Sequence, residues 1–244
     1  MKRLLVTVGD TNGAGMVCLD KQTGAVLWKS QNDRAGNAAP ITALIGGVEP
    51  KQVITFTVEG LIGLNLQNGE LLWRVPLTST YGRHAATPVI VGNMVVAGSH
   101  QRGTIGAEVA PDSSGKWNAN VKWESKETTL NFASPIAVGD HLYGLGPTKN
   151  VFCQEAKTGK VSWSKTGLVS TSAEKAHAAF LAMGKNLLML TDSGELVLFA
   201  ANPSEFKELG RVQICGANWC NPAYADGKLF LRDARELICV ELLP

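Results

Sequence analysis

The chain has 244 residues, of which 45% are hydrophobic and 18% are charged, a composition typical of a folded protein and not of a disordered one. Its 23 Lys and Arg residues against 21 Asp and Glu leave a net charge of +2. This balance excludes the strongly basic surface that nucleic-acid binding needs. The apolar runs are strand-sized, whereas a membrane-spanning helix needs roughly 20 apolar residues. We therefore expect neither nucleic acid as a partner nor a membrane span.

The first residues resemble the start of a signal peptide, because Lys2 and Arg3 precede the apolar run Leu4–Val6. Gly9 and Asp10 end that run after a few residues, which is too soon for the apolar segment of a signal peptide. We predict a β-strand here and no signal peptide in the chain as given.

An internal repeat follows the whole chain. Three segments align without gaps, and each has a Gly four residues before a Trp: Gly24 and Trp28, Gly69 and Trp73, Gly159 and Trp163. Such a Gly suits a tight turn with positive φ, and the strand that follows ends in an aromatic side chain able to pack on a neighbour. Trp123 marks a fourth copy with an insertion at 111–117, and the copy at 205–209 lacks both Gly and Trp. We interpret Trp28, Trp73, Trp123 and Trp163 as structural docking residues between repeats.

A second column lies on the strand before each of these turns, at intervals of 41 to 47 residues. Its members are Cys18, Gly63, Gly106, Cys153, Leu198 and Cys239. A third column, mostly Ala-x-Pro, opens each repeat ahead of two short strands divided by a Gly turn. Each repeat thus holds four short strands in about 45 residues, the pattern of a β-propeller blade.

The predicted fold is all-β, a β-propeller of four-stranded blades with about six repeats, four complete and two partial. We expect one domain over 1–244, with repeats at roughly 1–28, 29–73, 74–123, 124–163, 164–211 and 212–244. The count of 3 + 16 + 3 strands leaves end pieces that overlap, so we expect an arc of a seven- or eight-bladed ring that lacks N-terminal blades. A six-bladed ring with two ragged blades is the alternative. An open arc would favour a partner or a homo-oligomer.

One segment favours a different structure. Residues 172–183 contain good helix formers and a Ser in the N-cap position, so propensity alone predicts a helix there. The column alignment predicts a strand, and we follow the alignment.

The five cysteines are interpreted from the repeat. Cys18, Cys153 and Cys239 share one column and are predicted to be buried thiols that fill a small slot. Cys215 and Cys220 have the spacing of a disulfide or of half a metal site, but no second Cys pair or nearby His completes a zinc pattern. We favour a structural role for both and predict no metal site.

The usual catalytic and nucleotide-binding motifs are missing, and the four His residues are scattered and expected at the surface or in packing. On a surface interpretation of His84, its replacement by Ala should change stability by less than about 0.5 kcal/mol. The better candidates are the loops before the first strand of each repeat, since in a propeller they gather at one end of the channel. These predicted binding residues are Arg34, Asn37, Arg83, His84, Asn131, Phe132, His177, Asn218 and Trp219. They suit an anionic or planar ligand or a peptide loop, although loops at the end of a ring are also polar for solubility alone.

The Gly-x-x-x-Trp copies, with Leu19–Gly24 and Gln154–Gly159 leading into them, resemble the tryptophan-docking repeats of pyrroloquinoline-quinone (PQQ)-like β-propellers. That superfamily includes quinoprotein alcohol dehydrogenases, the propeller lipoprotein of the outer-membrane assembly machinery, and bacterial PQQ-binding-like repeat proteins. The end of the chain, Asn221–Cys239, is most similar to the last group.

The resemblance implies a place in the periplasm or cell envelope and a non-catalytic scaffold that binds a protein or a small ligand at the channel end. A PQQ-dependent dehydrogenase with calcium is the alternative, and a sensor domain of a longer signalling protein is another. The quinoprotein enzymes hold their cofactor against an adjacent Cys-Cys disulfide, which this sequence lacks. We therefore expect no cofactor and no catalytic residue.

Overall fold

The computed structural model describes residues 2–100, 102–172 and 176–242. These residues form 22 β-strands, the number that the repeat predicts, and none of them lies in a helix. The strands make six antiparallel sheets, four of four strands and two of three. Contacts divide the chain into two compact units: unit 1 is Met1–Asn131 with Ala156–Gly159, and unit 2 is Phe132–Glu155 with Lys160–Pro244.

Unit 1 contains three sheets. In each of them, strands that follow one another in the sequence are hydrogen-bonded neighbours. The first sheet consists of β1 (Arg3–Asp10), β2 (Ala14–Asp20) and β3 (Val26–Ser30). The second sheet consists of β4 (Ile41–Ile45), β5 (Val48–Phe56), β6 (Gly60–Asn65) and β7 (Leu71–Pro76). The third sheet consists of β8 (Val89–Val91), β9 (Met94–Ser99), β10 (Gly103–Pro111) and β11 (Trp117–Ser125).

Unit 2 repeats the arrangement. Its first sheet consists of β12 (Ile136–Val138), β13 (His141–Leu145), β14 (Val151–Glu155) and β15 (Val161–Lys165). Its second sheet consists of β16 (Ala178–Met183), β17 (Asn186–Thr191), β18 (Glu195–Ala200) and β19 (Glu208–Gln213). Its third sheet consists of β20 (Ala223–Ala225), β21 (Lys228–Arg232) and β22 (Leu237–Glu241).

The segment 172–183 holds the strand β16, as the column alignment predicts against helix propensity. Residues 173–175 of that segment lie outside the described residues. Ala178 and Ala179 are buried in β16, so burial against β17 outweighs the helix propensity of Ala.

The last two strands pair in one register in each of the first four sheets. The column residue lies opposite the Trp, and a β-bulge follows at once. These pairs are Cys18 with Trp28, Gly63 with Trp73, Gly106 with Trp123, and Cys153 with Trp163. The column is small because the indole lies over it: a Cβ at Gly63 would overlap the ring of Trp73.

The sheet β16–β19 keeps this register with the sizes exchanged. Leu198 occupies the column and Gly210 lies opposite it, again followed by a bulge. The copy at 205–209 lacks both Gly and Trp, and in this sheet the large residue is on the column strand and the small one on its partner. A Cβ at Gly210 would have nothing within 4 Å, so no side chain packs over this Gly.

Each unit has its own core. In unit 1, one apolar cluster joins the second and third sheets and includes Phe56, Trp73 and Trp117. In unit 2, the main cluster includes Tyr143, Met189 and Phe199. These buried strands position the loops and turns at their ends, where the candidate site lies.

Candidate functional site

Two of the repeat tryptophans, Trp28 and Trp123, donate their indole N–H groups to the turns that the repeat predicts. Trp28 donates to the carbonyl of Leu66 at 3.1 Å, and its ring lies against Gly69. Trp123 donates to the carbonyl of Ala156 at 3.0 Å, and its ring lies against Gly159. Both acceptors are three residues before the turn Gly.

The two other tryptophans have related partners. Trp163 donates to the carbonyl of Asn202 at 2.8 Å. Trp73 instead donates to Oε1 of Gln52 at 2.6 Å, on its own sheet. The repeat after Trp73 carries the insertion, whose Trp117 is buried in the same apolar cluster as Trp73. These contacts are those expected of a docking residue. The contribution of each Trp to the free energy of unfolding stays a prediction.

In unit 1, Arg34 and Asn37 are both exposed. The guanidinium of Arg34 forms an ion pair with Glu59 at 2.7 Å. The backbone N–H groups of Asn37 and Ala38 donate to the carbonyl of His84 at 2.9 and 2.8 Å. The structure thus brings the predicted loops around 34–37 and 83–84 together through backbone contacts.

Arg83 is exposed, and its guanidinium lies 5.1 Å from the ring centre of Tyr81. Asn131 is half-buried, and its Oδ1 is a buried atom without a hydrogen-bond partner among the described residues. Both residues stay predicted binding residues. A pocket of about 320 Å³ in unit 1 is lined by Arg34, Val58 and residues 78–82, and it does not include the other four candidates of this unit.

His84 is fully buried, so the expectation of a surface position is wrong. Its ring stacks on Phe56, with the ring centres 4.0 Å apart and the planes 18° from parallel. Burial lowers the pKa of His84, against the opposing effect of the Val58 and Leu77 backbone. The sequence could not show this, because a lone His in a polar loop has no periodicity that indicates its direction.

In unit 2, Phe132, His177 and Trp219 meet in one aromatic cluster. The ring centres of Phe132 and Trp219 are 5.7 Å apart, and those of His177 and Trp219 are 5.6 Å apart in a stacked arrangement. His177 is 5% exposed, whereas Phe132 and Trp219 are 44% and 49% exposed. The cluster therefore presents two large aromatic side chains to solvent on a buried imidazole.

The pKa of His177 is lowered by burial, although the backbone of Cys220 and the charge of Asp192 act in the opposite direction. Its Nε2 is buried without a hydrogen-bond partner among the described residues. A neutral imidazole is therefore the form that supports the stacked Trp219 at pH 7.

Asn218 fixes the loop that carries Trp219. Its Nδ2 donates to the carbonyl of Thr191 at 3.0 Å, and its backbone N–H donates to the carbonyl of Asp192 at 3.1 Å. The carboxylate of Asp192 in turn accepts from the backbone N–H of Ser170 at 3.0 and 3.1 Å. Three separate segments are thus held at one end of unit 2.

A pocket of about 590 Å³ opens beside this loop, and its lining includes Ser193, Ala217, Trp219, Cys220, Arg232 and Ala234. Of the residues that line this pocket, Asn218 and Trp219 were predicted from the sequence, whereas Asp192, Arg232 and Asp233 were not. Asp192 and Asp233 lie in the turns after β17 and β21, and Arg232 is the last residue of β21. In an up-and-down sheet the turn between the second and third strands lies at the same end as the loop before the first strand. That rule is the signal that could have found them.

The five cysteines are all free thiols. Cys18 and Cys153 are buried as predicted, and burial raises the pKa of Cys153 to about 11. Cys239 is exposed, so its predicted burial is wrong, because over the described residues no further strand covers β22 in its sheet. Cys215 and Cys220 contact opposite ends of the Asn218 amide, at 3.6 and 3.7 Å. Over residues 2–100, 102–172 and 176–242, no three His, Cys, Asp or Glu side chains are grouped as metal ligands. In the same part of the chain, no helix is long and apolar enough to cross a membrane.

The four-stranded sheets and the repeated strand register define a PQQ-like repeat β-propeller. The profile of the family described as outer membrane protein assembly factor BamB matches residues 2–165. This match covers more than half of the chain, and the chain belongs to that family. No curated protein sequence matches the chain significantly.

Two solved structures have a similar fold. BamB from Moraxella catarrhalis is 14% identical, with a TM-score of 0.50 over 92% of this chain and 77% of that chain. The computationally designed protein Ika8 is 12% identical, with a TM-score of 0.65 over 94% of this chain and 64% of its own. At these identities the likeness shows the fold alone.

Proposed function

We propose that this chain is a non-catalytic propeller scaffold that binds a protein partner in the bacterial cell envelope. The description of the family, outer membrane protein assembly factor BamB, supports the envelope location. The observation that carries the binding role is the aromatic cluster of unit 2. Phe132 and Trp219 pack side by side with nearly half of each surface exposed, and Trp219 also lines a pocket.

Exposed aromatic side chains in a rigid setting are typical of protein-binding surfaces, because they bury a large area at a small cost in side-chain entropy. The loops that hold them are tied to the sheets by the Asn218 and Asp192 hydrogen bonds. Such a surface needs no catalytic group. It acts by presenting a fixed shape to its partner.

Site-specific photocrosslinking in living cells tests this proposal. The full-length protein would carry p-benzoylphenylalanine in place of Phe132, and in a matched variant in place of Tyr224, which is 49% exposed but outside the cluster. We expect a discrete adduct with an envelope protein from position 132 and none from position 224. The same adducts from both positions, or only adducts with cytoplasmic proteins after fractionation, would overturn the proposal.

The dehydrogenase alternative has a direct test. We expect no heat of binding when the purified full-length protein is titrated with PQQ in calcium buffer, and no dye-linked oxidation of alcohols. Binding at micromolar concentration with turnover would replace the scaffold proposal with an enzymatic one.

A further inference from the structure

The pocket beside Trp219 is large enough to hold a large side chain of a ligand. Its volume of about 590 Å³ falls within the range of about 300–1,000 Å³ that ligand pockets occupy. Ala217 and Ala234 line it, and their small side chains leave the space open. The adjacent backbone at Gly216 is fixed by a 2.8 Å hydrogen bond to Asp233.

The indole of Trp219 forms the aromatic wall of this pocket. His177 stacks against it with the ring planes 25° from parallel. Phe132 also contacts the indole, with the ring centres 5.7 Å apart, and about half of the Trp219 surface is still exposed. That exposed surface suits contact with a second planar ring.

The two carboxylates that line the pocket accept hydrogen bonds from the backbone, whereas the one guanidinium in its lining has no such partner in the described part of the chain. Asp233 accepts from the backbone N–H groups of Gly216, Arg235 and Glu236 at 2.7 to 3.0 Å, and Asp192 accepts from Ser170. The guanidinium of Arg232 is exposed and has no hydrogen bond or ion pair with another described residue. The backbone donors already use part of the acceptor capacity of the two carboxylates, whereas all the donors of the Arg232 guanidinium are available to an acidic ligand.

We propose that this pocket binds an extended segment of the partner protein that presents an aromatic side chain next to an acidic residue. The aromatic ring packs on Trp219 between Ala217 and Ala234. The neighbouring carboxylate pairs with Arg232, whose planar guanidinium can hold both carboxylate oxygens. This inference names the partner chemistry of the proposed scaffold and rests on that function.

Four short capped peptides test the recognition. Two contain Trp-Glu and Trp-Lys, and two replace the Trp of each with Ala; all carry a fluorescent label, and anisotropy reports binding to the full-length protein. We expect the Trp-Glu peptide to bind at least about tenfold more tightly than the Trp-Lys peptide. We expect both Ala peptides to bind more weakly still.

Two variants and one control connect the binding to the pocket. Trp219→Ala should weaken the Trp-Glu peptide about tenfold or more, whereas Tyr224→Ala, at an equally exposed position, should leave it unchanged. Arg232→Glu should invert the preference, so that Trp-Lys binds more tightly than Trp-Glu. Circular dichroism and the melting temperature would verify that each variant is folded.

The outcomes separate this inference from the function beneath it. Equal binding of Trp-Glu and Trp-Lys, or an unchanged preference in Arg232→Glu, overturns the acidic-aromatic recognition even when position 132 crosslinks to an envelope protein. A charge preference that inverts as expected supports the pocket chemistry. In that case a missing crosslink at position 132 counts against the envelope partner alone.

Discussion

At the residue scale, Asp33 joins separate segments of unit 1. It is 6% exposed and accepts from Nη1 and Nη2 of Arg74 at 2.6 and 2.8 Å and from Oγ1 of Thr57 at 2.6 Å. Burial raises the pKa of Asp33, but the hydrogen bonds and the charge of Arg74 outweigh it and lower the pKa below its ordinary value. The ionised form is therefore stabilised by folding.

We expect Asp33→Ala to lower the free energy of unfolding by at least about 2 kcal/mol, because it leaves a half-buried guanidinium without its partner. Glu59→Gln, in the exposed pair with Arg34, should cost less than about 1 kcal/mol. Urea denaturation at pH 7 measures both. Equal losses in the two variants would contradict the role assigned to Asp33.

The same residue gives a pH dependence. A carboxyl group with a lowered pKa in the folded state stabilises the protein above its unfolded pKa, near 3.8, and this stability is lost as the pH falls through the folded value. The difference in unfolding free energy between the wild type and Asp33→Asn should be constant from pH 5 to pH 7 and shrink below about pH 4. A difference that grows toward acid would refute the assignment.

His84 shows how burial changes a residue prediction. We expect His84→Ala to cost about 2 kcal/mol or more, because it removes a fully buried ring that stacks on Phe56 and leaves a cavity. Its exposed neighbour is the control, and Arg83→Ala should stay within about 0.5 kcal/mol. Thermal unfolding compares them, and a neutral His84→Ala would restore the surface interpretation.

At the element scale, the strand pairs share one register but differ in which strand carries the larger side chain. A small column residue accepts a Trp, as Gly63 does with Trp73, and a large one faces a Gly, as Leu198 does with Gly210. The bulge after each pair is the same. The same register and bulge therefore occur with an indole over the column residue and, at Gly210, with open space within 4 Å.

A double-mutant cycle tests this exchange. Trp73→Ala should cost about 3–5 kcal/mol, as expected for a buried aromatic, and Gly63→Leu should be severely destabilising because even a Cβ there overlaps the indole. The double variant Gly63→Leu with Trp73→Gly recreates the Leu198 and Gly210 pair, so it should be more stable than Gly63→Leu alone. Additive losses would argue against interchangeable pairs.

The last described sheet lacks a fourth strand, and its column residue shows the consequence. Cys239 is exposed on β22, whereas Cys18 and Cys153 in the same column are buried beneath a Trp strand. We expect Cys239 to react with a maleimide within minutes in the native protein. Cys18 and Cys153 should react only on unfolding, since their pKa values are raised by burial. Mass spectrometry of digests measures each site, and early labelling of Cys153 would contradict this order.

At the scale of the whole molecule, the repeat predicts one domain over residues 1–244, whereas the contacts group the chain into two compact units. Repeats bury a continuous core only when neighbours stack, so we expect a single cooperative transition with equal calorimetric and van't Hoff enthalpies. Scanning calorimetry of the full chain measures this. Two resolved transitions would assign the units to separate domains.

The strands, their number and the positions of the Gly turns before the Trp strands could be predicted from the sequence alone. Period-two apolar patterns, Gly turns and regularly spaced Trp residues are local signals, and each repeat reports them again. The loops that carry Asn218 and Trp219 could be predicted for the same reason, because they precede a recognisable strand.

Only the tertiary structure decided which side chains meet. It buried His84 on Phe56 and put Gly210 opposite Leu198. It placed Trp219 and Arg232 in the lining of the same pocket. These outcomes depend on contacts between residues distant in sequence, where the direction of one side chain is set by the space that others leave. No local pattern in the chain carries that information.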